Sequence, residues 1–250
     1  FVVIQVQSQE PSFPPSQVAA QTYPYAAELV DAIAANDSCT EPVFFMTWGR
    51  KNGDAANATG YPILGTYEGM QSRLRDSYLE MSYTHNATVA PVGMAWHQSI
   101  NTDPDFDLYT GDESHPNMAG SYLAACTFYS TLFQESCVGA AYIPNGLTED
   151  EALYLQEIAT ARVLDSAEVW NMFAIQSMTA DGGIAFEFSV EATNAESYYW
   201  EFGDGSFSNE QNPSYTYMNF GEYYTVTLTV YSNEGCLYRF QSMEVYVDVI

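Results

Sequence analysis

Over the first two thirds of the chain, short unbroken apolar runs alternate with longer stretches at helical spacing. Phe1-Val2-Val3-Ile4 begins a run that reads as a buried strand over residues 1–7 and stops at Gln7-Ser8-Gln9. After a loop with Pro11, Pro14 and Pro15, residues 16–35 carry Val18, Tyr25, Leu29 and Ile33 near helical spacing. Val43-Phe44-Phe45-Met46 is a second buried strand, ending in Trp48-Gly49-Arg50. Tyr67, Met70, Leu74, Tyr78 and Met81 form one apolar helical face over residues 67–83. Val89 to Trp96 reads as a third strand, irregular at Pro91. Residues 118–133 read as another helix, with Tyr122, Ala125, Tyr129 and Leu132. Thr148-Glu149-Asp150-Glu151 is a capping box before a helix to about residue 164, whose Ala152, Leu155 and Ala159 suit packing back on the same domain. This alternation predicts an α/β domain with a parallel sheet.

The period then changes to two. Ile184, Phe186, Phe188 and Val190 alternate with polar residues, as do Tyr198, Trp200 and Phe202, and Tyr224, Val226, Leu228 and Val230. Gly203-Asp204-Gly205 and Asn219-Phe220-Gly221 supply turns. Residues 176–250 therefore predict a small all-β sandwich. The change falls near 172–178, dividing the chain into 1–172 and 173–250.

Composition narrows the partners. The net charge is −26, with six basic residues against thirty-two acidic ones. That sign excludes a phosphate-backbone binder, so no nucleic acid is expected, and an anionic membrane surface would repel the chain. No run of eighteen apolar residues suggests membrane insertion. The chain opens on a strand without Met or a basic leader, which reads as a fragment or a chain cut before residue 1. Acidity and scarce Lys suit an extracellular protein. The cysteines, Cys39, Cys126, Cys137 and Cys236, include no CxxC pair, and the three histidines are scattered, so neither a metal nor a cofactor is expected. At most one disulfide is expected, between Cys39 and Cys137, both placed at the amino-end face of the sheet.

Chemistry on an open parallel sheet sits beyond the carboxyl ends of the strands. Gln7-Ser8-Gln9, Thr47-Trp48-Gly49-Arg50 and Trp96-His97-Gln98 arrive there, together with the loop Gly111-Asp112-Glu113-Ser114-His115-Pro116-Asn117. Asp112 can accept the Nδ1 proton of His115, leaving Nε2 as a base. The spacing equally fits a helix-start Asp beside a surface His. His97 follows a strand and could lie in the cleft or simply leave the sheet. Trp48, Arg50 and Trp96 could line the substrate mouth, with Arg50 matched to an anionic or polar group, or pack at the rim. His85 suits a helix C-terminus.

The segment Asp112-Glu113-Ser114-His115-Pro116-Asn117-Met118-Ala119-Gly120-Ser121-Tyr122-Leu123-Ala124-Ala125 resembles the last conserved block of the SGNH (GDSL-type) hydrolases. The resemblance covers roughly residues 1–165. It implies a flavodoxin-like α/β three-layer sandwich, here lacking its first strand, and a Ser-His-Asp triad in which Asp112 orients and His115 is the base. Residues 1–9 resemble the family strand ending in G-x-N-D, with Gln7 on the Gly and Gln9 on the oxyanion-binding Asn. The family's nucleophile block is not found, so the resemblance implies a nucleophile upstream of residue 1, with Ser8 as the runner-up. Its other blocks look like those of a divergent secreted bacterial branch.

In the second region, Tyr199-Trp200-Glu201-Phe202-Gly203-Asp204-Gly205, Asn212-Pro213-Ser214-Tyr215-Thr216-Tyr217 and Gly221 to Val230 resemble a PKD domain, an immunoglobulin-like sandwich. That implies secretion or a cell-surface location and contact with the cell surface or a polysaccharide. Two functions compete. One is a secreted carboxylic-ester hydrolase, acetylesterase-like, acting on an acylated small molecule or carbohydrate, with the Ser absent from these residues. The other is a non-catalytic extracellular binding or adhesion protein on a degenerate hydrolase core.

Overall fold

The computed structural model describes residues 1–7, 9–232 and 235–249. The chain divides into two compact units, Phe1–Met172 and Phe173–Ile250.

The first unit is built on a three-stranded parallel sheet, ordered β1 (Val2–Ile4), β2 (Pro42–Phe45), β3 (Thr88–Ala90). Val3 pairs with Val43, and Phe44 with both Ile4 and Val89. β2 is central, and Val43, Phe44 and Met46 are all fully buried, as expected for a strand covered on both faces. Parallel strands need long crossovers, and helices supply them. Between β1 and β2 run α1 (Pro15–Gln21) and α2 (Tyr23–Asn36); between β2 and β3 lie α3 (Ala55–Ala58) and α4 (Tyr67–His85). After β3 come α5 (Val92–Thr102), α6 (Met118–Phe133) and α7 (Glu149–Leu164). Tyr67, Met70, Leu74, Tyr78 and Met81 are buried along α4, the face the spacing predicts. Thr148 and Glu151 form the expected reciprocal cap of α7, and Ala152, Leu155 and Ala159 are buried in the core of this unit.

Four expectations need correction. The third strand ends at Ala90, and residues 92–102 are helical, so the apolar run 89–96 is a strand followed at once by a buried helix. Length and periodicity do not separate those alternatives over eight residues. The helix at 16–35 is two helices broken at Thr22. On α2 it is Ala26 that is buried, while Tyr25 and Leu29 are exposed. On α6 the buried stripe runs through Leu123, Cys126, Thr127 and Ser130, whereas Ala125 and Tyr129 face outward. Hydroxyls can occupy that stripe because Thr127 and Thr131 donate to the carbonyls of Leu123 and Thr127, each at 2.8 Å. Finally, Cys137 is a buried free thiol, as is Cys126, so no Cys39–Cys137 disulfide forms. Cys137 Sγ instead meets the Gln156 carbonyl at 3.4 Å and the Thr160 hydroxyl at 3.3 Å.

The second unit is a two-sheet sandwich. One sheet is β4 (Ala174–Gly182), β5 (Ala185–Thr193) and β8 (Ser214–Thr216); the other is β10 (Tyr238–Tyr246), β9 (Tyr223–Tyr231), β6 (Ser197–Glu201) and β7 (Phe207–Ser208). Phe186, Phe188, Val190, Trp200, Phe202, Val226, Leu228 and Val230 form its buried core, the period-two positions of the sequence.

Candidate functional site

The segments that leave β1 and β2 and the loop before α6 line one cavity of about 410 Å³ in the first unit. Gln5 and Gln7 come from beyond β1, Thr47, Trp48 and Arg50 from beyond β2, and Ser114, His115 and Pro116 from the loop.

The loop is held by its own carboxylate. Oδ1 of Asp112 accepts the amides of Ser114 (3.0 Å) and His115 (2.9 Å) and the Thr110 hydroxyl (2.9 Å). Oδ2 lies 2.5 Å from Nδ1 of His115. A bridge between Tyr109 and Pro116 closes the base of the loop, and Glu113 takes a left-handed φ of 58° at its tip. Asn117 then turns the chain into α6, its side chain accepting the Gly120 amide at 3.0 Å. Four hydrogen bonds to the charged carboxylate, first that from the His115 amide, hold the Asp112 carboxyl well below the usual carboxylate range. His115 is open to solvent, its side chain 77 % exposed.

The segment after β2 is fixed from both sides. The Gly49 amide donates to the buried Gln71 side chain at 2.8 Å, and its carbonyl accepts the Tyr109 hydroxyl at 2.7 Å. Burial beside Asp107 raises the Tyr109 phenol, so it keeps the proton it donates. Gly93, at the start of α5, lets the helix approach: a Cβ there would sit 2.1 Å from the Thr47 carbonyl oxygen. Trp48 is thereby laid flat on Trp96, with centroids 4.2 Å apart and planes within 6°, and its Nε1 donates to the Ser114 carbonyl at 3.0 Å. This bond ties the β2 segment to the His115 loop, as do Lys51 N to Glu113 O (2.9 Å) and the Asn52 amide to the Glu113 carboxylate (2.7 Å).

Of the residues singled out in the sequence, Gln7, Trp48, Arg50 and His115 line the cavity, and Asp112 is bonded to His115. Gln9 stands behind them, its carbonyl oxygen accepting from Arg50, which also pairs with buried Asp54 at 3.3 Å. Trp96 is fully buried beneath Trp48, not at the mouth. His97 lies on α5, stacked on Tyr67 and bonded to Glu68 (2.9 Å) and Asn101 (3.1 Å), and is not among the cavity residues. Ser8 lies outside the described residues. Sequence reasoning missed Gln5, whose only signal was its place two residues before Gln7, and Gln71 and Tyr109, which carry no local signal for their roles. Among the described residues, no hydroxyl or thiol hydrogen-bonds Nε2 of His115, and no group of three or more His, Cys, Asp or Glu is placed to hold a metal ion.

Residues 167–247 match the PKD domain family. The chain is similar to the PKD1 domain of the metalloprotease PrtV from Vibrio cholerae (27 % identity, 29 % of this chain and 94 % of that one, TM-score 0.27). It is also similar to a DUF4886 family protein from Bacteroides uniformis (23 % identity, 65 % of this chain and 62 % of that one, TM-score 0.54). A third similar structure is a protein described as a candidate SGNH hydrolase from Slackia heliotrinireducens (25 % identity, 52 % of this chain and 64 % of that one, TM-score 0.40). The chain spans a little under two thirds of the length of these last two. The C-terminal unit thus carries a PKD-like domain, and the likeness to the Bacteroides uniformis protein is one of fold.

Proposed function

We propose that this chain is part of a secreted or cell-surface serine hydrolase of the SGNH type acting on carboxylic esters, with Asp112 as the orienting carboxylate and His115 as the general base. The observation that carries the reading is the 2.5 Å contact between Asp112 Oδ2 and His115 Nδ1 at the cavity mouth. With the Nδ1 proton committed to the carboxylate, Nε2 holds the lone pair. It takes the proton of a serine hydroxyl as Oγ attacks the ester carbonyl, then returns it to the departing alkoxide. Asp112 stabilises the imidazolium in between. The Gln7 amide group is the donor this chain offers to the oxyanion, with Gln9 acting behind it through Arg50. Trp48 and Arg50 border the bound substrate. The Arg50–Asp54 pair leaves little net charge there, which suits a polar, uncharged acyl ester on a small molecule or carbohydrate.

The reading takes its nucleophile from a segment outside these 250 residues. The free edge of β1 has room for one. Val2 and Val3 are 41 % and 46 % exposed, and with Leu29, Ala32 and Ile33 they line an apolar groove of about 480 Å³ along that edge. A further strand there would continue the sheet and end beside Gln5 and Gln7. The second reading, a non-catalytic binding protein, is favoured by the lack of a hydroxyl on Nε2 of His115 among the described residues.

Chromogenic acetyl-ester hydrolysis distinguishes the two. The 250-residue chain is expected to be inactive, and the chain lengthened by the coding sequence preceding it to be active and to lose that activity with His115→Ala. Equal rates in both lengths would overturn the external nucleophile. A folded lengthened chain with no activity on any acyl ester would leave the binding reading.

A further inference from the structure

We infer that Asn145–Gly146 is a site of spontaneous covalent modification, at which Asn145 becomes aspartate or isoaspartate. The fold guards the chain's other Asn-Gly pair, Asn52–Gly53, from the same reaction. The inference rests on the first unit alone and does not depend on the hydrolase reading.

An asparagine is most open to this chemistry when glycine follows it, because no Cβ shields the glycine nitrogen. That nitrogen attacks the asparagine Cγ. The new N–C bond closes a five-membered imide, the Cγ–Nδ2 bond breaks, and ammonia leaves with the proton of the glycine amide. Water then opens the imide. Opening at Cγ leaves aspartate; opening at the main-chain carbonyl leaves isoaspartate, with Cγ now carrying the chain. One water enters and one ammonia departs. The attack needs a glycine N–H and an asparagine amide that are both free, and a peptide plane able to turn between them.

Asn145–Gly146 meets both needs. The pair is the tip of a turn closed by the Leu147 amide on the Pro144 carbonyl at 3.2 Å, and both residues are exposed. Among the described residues nothing hydrogen-bonds the Asn145 side chain or the Gly146 amide. The space around Gly146 is open, since a Cβ there would meet no atom within 4 Å. An exposed turn without such tethers reorients at little cost. The new carboxylate falls ahead of the Thr148 cap and outside the capping box, so α7 keeps its start.

Asn52–Gly53 meets neither. Asn52 Nδ2 donates to the Glu113 carboxylate at 2.7 Å, and the Gly53 amide to the Arg50 carbonyl at 2.9 Å. Gly53 is also wedged against the backbone of Leu64, Gly65 and Thr66, where a Cβ would come within 2.4 Å of the Leu64 carbonyl oxygen. The next amide, of Asp54, donates to that same carbonyl at 2.7 Å. The peptide plane is thus held at both ends. The guard stands where the product would do harm. A carboxylate at position 52 would face that of Glu113 in place of a hydrogen bond, on the segment tied to the His115 loop.

The test holds the full chain, folded, in warm, mildly alkaline buffer and follows it by peptide mapping with mass spectrometry, beside a sample in guanidinium chloride. In the folded chain the Asn145 peptide should convert at least about tenfold faster than the Asn52 peptide, and in denaturant the two rates should agree within about threefold. A protein isoaspartate methyltransferase with labelled S-adenosylmethionine should mark the aged folded chain. Asn145→Gln, whose longer side chain disfavours the imide ring, should remove most of that label. Near-ultraviolet circular dichroism checks that the variant is folded. Asn52 converting as fast as Asn145 in the folded chain would overturn the guard. An Asn145 that converts only in denaturant, or label undiminished in Asn145→Gln, would overturn the site.

Discussion

In the turn before α6, Oδ1 of Asp112 accepts the amide of Ser114, two residues on; in the turn after β6, Oδ1 of Asp204 accepts the amide of Ser206, again two residues on. Both carboxyls are held below their ordinary pKa. The difference lies in the second oxygen. Asp112 Oδ2 meets the imidazole of His115, whose ring is open to solvent at a cavity. Asp204 Oδ2 accepts the Tyr215 hydroxyl at 2.7 Å, and that ring stacks on Phe202 with centroids 4.1 Å apart. The second turn is bound into the sandwich further by Gly203, at φ 85°, where a Cβ would come within 2.6 Å of the Thr225 carbonyl oxygen. One local motif thus ends in two different contacts, and only the one at the cavity suits the chemistry we propose. The two turns differ in whether the second oxygen meets a packed phenol or a solvent-facing imidazole.

The largest effect that would break this contrast is on turnover. In the lengthened, active chain, His115→Ala should lower kcat/KM by about 10⁴-fold. Asp112→Asn should approach the same loss while keeping the turn, because an amide oxygen still accepts the Ser114 and His115 amides. Steady-state kinetics with circular dichroism checks both, and an unaffected Asp112→Asn would return that turn to architecture. Next is Trp200→Ala, which removes a fully buried ring of the sandwich and should cost about 3–5 kcal/mol in urea unfolding. Asp204→Ala should cost about 1 kcal/mol, the worth of a solvent-screened cap and phenol bond, with no effect on any esterase rate.

The pH dependence sharpens the comparison further. A carboxyl whose folded pKa lies below its unfolded value contributes stability above the unfolded value, about 3.9 for Asp, and loses it as the pH falls through the folded one. Both turns should therefore stay intact from neutral pH down to about 4 and loosen only below it. Carboxyl ¹³C titration should place Asp112 lower than Asp204, because Asp112 receives bonds from two amides, a hydroxyl and the imidazole. An ordinary midpoint for Asp112 would contradict its grip on the loop. The smallest effect is a count. Alkylation of the denatured, unreduced chain should label Cys126 and Cys137. Protection of Cys137 in peptide mapping would revive the disulfide expected from sequence.

Much of the second unit was legible because a half-buried strand writes its two faces into alternate residues. Phe186, Phe188 and Val190 had to share a side whatever their neighbours were. The Asp112–His115 contact was one of two readings the spacing allowed, and it is realised because the turn that brings Oδ1 to the Ser114 and His115 amides also brings Oδ2 to the imidazole. The first unit was harder. The run from Val89 to Trp96 is apolar throughout because strand and helix are both buried there, so its composition could not mark the change at Pro91. The buried stripe of α6 hid behind polar residues, of which Thr127 and Thr131 satisfy their hydroxyls on the helix itself.

The sequence by itself determined the two periods, the turns at 111–117 and 203–205, the capping box at Thr148 and the net charge of −26. These depend on near neighbours or on sums over the chain. Only the tertiary structure decided that Trp96 lies beneath Trp48, that Gln71 and Tyr109 hold Gly49 from two sides, and that Cys137 stays a thiol. Most of these rest on contacts between residues about twenty or more positions apart, set by strand register and helix packing, and no local pattern encodes which distant side chain arrives.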